Sequence, residues 1–235
     1  MRKRTAILVD AGFFLRRYRR LTGDQHPQQV AKDLHRFCLD HLRQQERDDR
    51  GTEDLYRIFV YDCAPFQGTV THPLSGREVD FSETGLAQFR RSFHETLRRL
   101  RKVALRMGEL NEWHSRWQLK TEPMEELLDD QIEVGDLEEA DFRYDIRQSG
   151  LDMRMGLDIA SMTFKGLVDQ MILISGDSDF VPAAKLARRE GVDFILDPMW
   201  ASVGDELAEH VDGIKTVVPL PQNQETLGPE KEAVV

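Results

Sequence analysis

The chain has 235 residues, 40% hydrophobic and 31% charged, which suits one substantial core carrying an insertion better than two cores. This is the composition of a soluble globular protein, and no apolar run approaches the roughly 18 residues of a membrane helix. The formal net charge of −10 speaks against an anionic partner in sum, yet eleven acids and one arginine fall between Thr121 and Asp145, leaving the remainder neutral.

Met1-Arg2-Lys3-Arg4 is basic, but the apolar stretch after it ends at Asp10 and runs into Arg16-Arg17, so a cytoplasmic N-terminus is expected rather than a signal peptide. Thr5 to Val9 has the pattern of a buried parallel strand with Asp10 at its C-terminal end. Gly12 marks a turn into a helix reaching about Leu21, and Pro27 to about Gln45 places Val30, Leu34, Phe37 and Leu42 at helical spacing. Leu55 to Tyr61 predicts a second strand closed by Asp62 and Pro65, and Gly68 to Gly76 predicts a loop. Ser82 to Lys102 is amphipathic through Leu86, Phe89, Phe93, Leu97 and Leu100. Val103 to Met107 predicts a third strand ending at Gly108.

An acidic insertion follows at about 109–148, with Trp113 and Trp117 four apart and no periodicity that fixes its structure. From Leu151 the pattern is helical, with Asp152, Met155, Ile159 and Met162 along one face and an end near Lys165-Gly166. Met171 to Ser175 is the clearest strand, and Gly176-Asp177-Ser178-Asp179 turns directly into a helix from Val181 to about Glu190. Val192 to Leu196, a short helix from Gly204 to His210, and Ile214 to Val218 complete the alternation, and the polar segment 221–235 is expected to fray. Strands alternating with helices predict an α/β domain over residues 1–220, with a mainly parallel central sheet and helices on both faces.

Cys38 and Cys63 have no paired spacing, and the chain has neither a His-Glu-x-x-His segment nor a glycine-rich phosphate loop. Acids just past the strands carry more information, because ligands of such sheets bind outside the carboxyl ends of the strands. Asp10, Asp62, Asp177, Asp179 and Asp197 stand there, and Asp152 opens a helix toward the same edge. Carboxylates held close together repel one another, and a hard cation such as Mg²⁺ or Mn²⁺ keeps them ionised. Asp10 and Asp177 are expected to hold an ion, and Asp152 and Asp179 to complete its shell, with Asp158 a further candidate. Such an ion orients water against a phosphodiester. Ser175 and Ser178 would orient water or touch phosphate.

Each acid also has a plain structural reading. An aspartate after a strand usually caps a turn or helix, which is the better reading for Asp62 and Asp197, and Asp177 with Asp179 would serve equally well as caps of the following helix. Two basic clusters offer phosphate contacts, or else solvated and paired helix faces: Arg16, Arg17, Arg19 and Arg20, and the group from Arg90 to Arg106.

Three blocks in order, Val9-Asp10-Ala11-Gly12, Gly150-Leu151-Asp152-Met153-Arg154-Met155-Gly156-Leu157-Asp158 and Ile174-Ser175-Gly176-Asp177-Ser178-Asp179-Phe180-Val181-Pro182, resemble the NYN domain family, LabA-like branch, of the PIN-like nucleases. The resemblance implies a Rossmann-like PIN fold, Mg²⁺ or Mn²⁺ dependence and cleavage of RNA, single-stranded RNA above all. It assigns the acidic positions to Asp10, Asp152, Asp177 and Asp179, with Asp158 matching a further acid. Arg16 and Arg17 are expected substrate contacts, and homodimers are a family expectation. Two positions depart from the family pattern, Phe13 where Asn is frequent and Ser149 where Lys is frequent. A phosphatase of the haloacid-dehalogenase type would want an acid at Gly12, and a toprim-like site a Glu at Asp10. The competing reading is a PIN-like RNA- or protein-binding regulator of little or no turnover, with the acidic insertion imitating phosphate.

Overall fold

A computed structural model describes residues 3–47 and 53–219. In chain order the elements are β1 (Lys3–Asp10), α1 (Ala11–Thr22), α2 (Pro27–Arg47), β2 (Glu53–Cys63), β3 (Thr69–Thr71), β4 (Glu78–Asp80), α3 (Gly85–Arg99), β5 (Val103–Leu119), α4 (Thr121–Leu128), β6 (Phe142–Ser149), α5 (Leu151–Phe164), β7 (Gln170–Ile174), α6 (Val181–Arg189), β8 (Asp193–Asp197), α7 (Asp205–Glu209) and β9 (Gly213–Ile214).

The continuous apolar run of β1 is explained by its neighbours, since both faces of the strand are covered. Ile7 and Val9 pack with Phe14 of α1, Leu34 of α2 and Phe93 of α3. Ala6 and Leu8 turn the other way, toward Met155 and Ile159 of α5 and Ala184 of α6. Strand periodicity thus sorts one run of residues into two cores, and a parallel sheet sits between two helical layers.

The sheet order is β6-β5-β2-β1-β7-β8-β9. Six strands, β5 to β9 across that order, are parallel, and β6 joins the edge antiparallel to β5. From β1 the chain works outward through β2 to β5, then crosses back by α5 to place β7 on the other flank of β1. The reversal opens a crevice at the carboxyl ends of β1 and β7, the usual ligand position in such folds.

Three segments differ from expectation. The loop from Gly68 contains the β3–β4 hairpin, in register from Thr69↔Asp80 to Thr71↔Glu78. The strand starting at Val103 continues through the insertion to Leu119 and pairs with β6, from Glu109↔Ser149 to Leu119↔Phe142. An aromatic cluster supports this arm: the Tyr144 ring lies 5.4 Å from Trp117 and 5.2 Å from Phe81, and Phe66 lies 5.6 Å from Phe81. Finally, among the described residues that follow α7 only Gly213 and Ile214 pair with β8. The chain beyond them leaves the sheet because Thr216 donates to Asp197 at 2.9 Å and Trp200 Nε1 donates to the Val218 carbonyl at 2.8 Å. The polar tail expected at 221–235 lies outside the described residues. No helix among the described residues is long and apolar enough to cross a membrane.

Candidate metal and nucleic-acid site

Asp10 closes β1 and begins α1, so its carboxylate sits in the crevice at the switch point. Its Oδ1 accepts the Phe13 N–H at 3.0 Å, making it the N-cap of α1. Beside it in the sheet, β7 ends at Ile174, the partner of Val9. The buried Ser175 follows, and its hydroxyl oxygen accepts the Asp177 N–H at 3.2 Å. Asp177 in turn accepts the Asp179 N–H at 2.9 Å and caps the 3-10 turn Ser178–Phe180 that leads into α6. The capping roles expected for acids at these positions are therefore real. They also hold the carboxylates in fixed orientations, which a ligand site needs.

Asp152 arrives from a third segment. Gly150, at φ 78°, lets the chain turn from β6 into α5, and Asp152 lies in the first turn of that helix. No hydrogen bond or ion pair to its side chain occurs among the described residues. Burial first, then the nearby charges of Asp177 and Asp179, hold its carboxyl above the usual aspartate range. At Asp10 burial again raises the carboxyl and Asp152 adds to it, outweighing the lowering by the Phe13 N–H and by Arg16. The four acids thus form an electrostatic chain in which Asp152 is the link.

Two clefts meet at Asp10 and Arg16. One, of about 390 Å³, is bordered by Ser175, Asp177, Ser178 and Ser202. The other, of about 400 Å³, is bordered by Asp152, Tyr61, Phe81 and Tyr144. Asp10 and Arg16 border both. Asp179 borders neither and acts on the site through its charge on Asp152. Among the described residues no three His, Cys, Asp or Glu side chains are grouped so as to hold an ion by themselves. The donor set fits a hard ion that takes one or two protein carboxylates and fills its remaining positions with water and phosphate oxygens, as Mg²⁺ does. It does not form an all-protein cage.

Other expected residues have different partners. Asp158 receives Arg106 Nε at 2.9 Å and the Tyr61 hydroxyl at 2.9 Å, so its carboxylate is occupied away from the ligand set. Arg17 is fully buried and donates from Nε (3.1 Å) and a terminal nitrogen (2.8 Å) to the Met199 carbonyl. It borders the first cleft as a brace for the loop where Met199 and Trp200 have positive φ, whereas Arg16 is exposed. Asp62 is buried against Arg90 and His94, and Asp197 against His41 at 2.7 Å, the structural roles expected of them. Of the second basic cluster, Arg90 is therefore committed to Asp62, Arg99 pairs with Glu95 and Lys102 with Asp54.

Phe13 and Gly176 are coupled. A Cβ on Gly176 would lie 2.8 Å from the Phe13 ring, so the glycine lets this ring close the floor beneath the acids. Phe81, Arg143 and Tyr144 were not foreseen. Phe81 opens a short 3-10 turn before α3, and Arg143 and Tyr144 lie in an insertion without periodicity, so no sequence signal marked them.

A solved structure of a protein of unknown function from Vibrio parahaemolyticus is similar at 16% identity and a TM-score of 0.48, covering 92% of this chain and 93% of that one. No curated protein matches. The family model for the NYN domain matches residues 84–213, more than half of the chain, a span that holds Asp152, Asp177 and Asp179 and begins after Asp10. The chain therefore belongs to the NYN domain family, within the PIN-like nuclease superfamily.

Proposed function

We propose that this chain is a divalent-metal-dependent ribonuclease acting on single-stranded RNA in the cytoplasm, of the LabA-like branch, with residues 1–220 as its domain and a homodimer as its expected assembly. The observation that carries the reading is the meeting of two clefts at Asp10, with Asp152 bordering one and Asp177 the other. Asp10 and Asp177 would hold Mg²⁺ or Mn²⁺, with Asp152 and Asp179 completing its shell through water. When bound, such an ion supplies an acidified water and neutralises charge on the phosphate. Asp10 and Asp177, fixed by their caps, orient the ligand oxygens. Arg16 borders both clefts and is the natural contact for the phosphodiester, and Ser175 and Ser178 line the path beside it. Asp158 is left out of the ligand set because Arg106 and Tyr61 occupy it.

The test is purified protein with labelled single-stranded RNA, with and without Mn²⁺. Cleavage should require the ion, and Asp152→Asn or Asp177→Asn should slow it by at least the roughly 10- to 100-fold that loss of even an outer ligand partner costs. Turnover surviving both EDTA and Asp177→Asn would come from a contaminant and defeat the reading. A second reading, an RNA- or protein-binding regulator with little turnover, is favoured by the absence of a three-ligand group among the described residues and by Phe13 beneath the acids. RNA binding without cleavage under every ion condition would select it.

A further inference from the structure

The second cleft has a composition that the acidic pocket alone does not explain. Asp10 and Asp152 border it, and so do the aromatic residues Phe81 and Tyr144. Four successive residues of β6, Arg143 to Ile146, border it. Side chains alternate along a strand, so a single face would contribute every second residue. Bordering by four in a row means that the backbone of the strand as well as its side chains reaches the cleft; β6 is the outermost strand of its sheet. An edge strand leaves alternate backbone N–H and C=O groups unused by the ladder. Arg143 adds a buried Nε with no hydrogen-bond partner among the described residues. The cleft thus combines aromatic residues, the Arg143 Nε, and Arg16 beside the acids. Its volume, about 400 Å³, falls within the range of small-ligand pockets.

We propose that the β5–β6 arm makes this cleft a nucleobase site, in which an unpaired base of the RNA strand stacks against Tyr144 and Phe81 while its neighbouring phosphate lies toward Arg16 and the acids. The inference rests on the nuclease reading for the identity of the strand and adds a residue-level account of how one nucleotide is held. Aromatic rings accept the flat face of any base, and the Arg143 Nε meets its hydrogen-bonding rim. Double-stranded RNA keeps its bases paired and does not offer such a face. The arm is then a positioning device: it sets which phosphate reaches Asp10 and Asp152 by fixing the base beside it.

The experiment is equilibrium binding in EDTA, so that turnover does not intervene, followed as fluorescence anisotropy of a labelled single-stranded oligoadenylate. Tyr144→Leu keeps an apolar side chain in the arm but cannot stack, and should weaken binding by about 5- to 150-fold, the span of a lost base–aromatic stack. Tyr144→Phe should bind like the wild type. On an oligomer of equal length with abasic riboses, wild type and Tyr144→Leu should bind alike. Equal affinity of wild type and Tyr144→Leu for oligoadenylate, or no binding by the wild type, overturns the proposal. The two readings separate cleanly. Mn²⁺-dependent cleavage with an unchanged KM in Tyr144→Leu leaves the nuclease standing and removes the base site. Tyr144-dependent binding by a protein that never cleaves RNA does the reverse.

Discussion

At Asp10 a single carboxylate caps α1 through the Phe13 N–H and also borders both clefts. Asparagine caps nearly as well as aspartate, whereas alanine does not cap, so the two roles can be separated. Burial and the charge of Asp152 raise the Asp10 carboxyl above 3.8 despite Arg16. For an acid raised on folding, the native state binds more protons between the unfolded and folded values, so stability falls as pH rises above 3.8 through that window. In EDTA near pH 7, Asp10→Asn should therefore be more stable than wild type by about 0.5–2 kcal/mol, the usual gain when a functional-site strain is removed. Asp10→Ala should fall roughly 1 kcal/mol below the Asn variant through loss of the cap. The Asn advantage should vanish in melts taken below the ordinary value of 3.8. A less stable Asn variant at neutral pH would mean that Arg16 and the cap outweigh burial.

Between elements, the contact that shapes the site floor joins α1 to the turn after β7. A methyl on Gly176 would meet the Phe13 ring at 2.8 Å, and Phe13 is only 5% exposed, so the ring has little room to yield. Gly176→Ala should cost about 1–3 kcal/mol, as overpacking does. Combined with Phe13→Leu, the pair should cost less than the sum of the two, a coupling readable in urea denaturation. Strict additivity would show that the ring does not press on this glycine. The same scale explains what was legible in advance. Thr5 to Val9 and Met171 to Ser175 announced themselves because a strand covered on both faces must be apolar throughout, and the acids that end them were visible for the same reason. The β5–β6 arm was not legible: its stability lies in contacts among Trp117, Tyr144, Phe81 and Phe66, which are distant in sequence and follow no period. Arg17 belongs to a cluster of four arginines around Tyr18 that looks solvated in the sequence, and only the fold reveals that it turns inward to Met199 while bordering the first cleft.

Over the whole molecule, the charge is divided between a nearly neutral body and the acidic tip of the arm. Residues 121–141 contain ten acids and no Lys or Arg, so removing them would take the formal charge from −10 to zero. The tip is tied to the body through Glu139, which Arg77, then Ser75, hold down to about 2. Its base is narrow, with Leu119 paired to Phe142 and the Lys120 N–H donating to the Asp141 carbonyl at 2.8 Å. Asn-Gly inserted between Lys120 and Phe142 makes, with Lys120, a three-residue loop closed by the Leu119–Phe142 pair, and should therefore preserve the register of the arm, including Tyr144, while deleting the negative field. Ten like charges repel an RNA strand over distances comparable to the Debye length, about 10 Å at 0.1 M salt and about 3 Å at 1 M. The shortened protein should bind oligoadenylate about 3- to 10-fold more tightly at low ionic strength, mostly through faster association, and the gain should disappear toward 1 M salt. Because the cleft is retained, Tyr144→Leu should weaken the shortened protein by the same factor as the full chain. If affinity and its salt dependence are both unchanged, the tip's field does not reach the strand, and the acids of residues 121–141 serve some role other than restraining RNA.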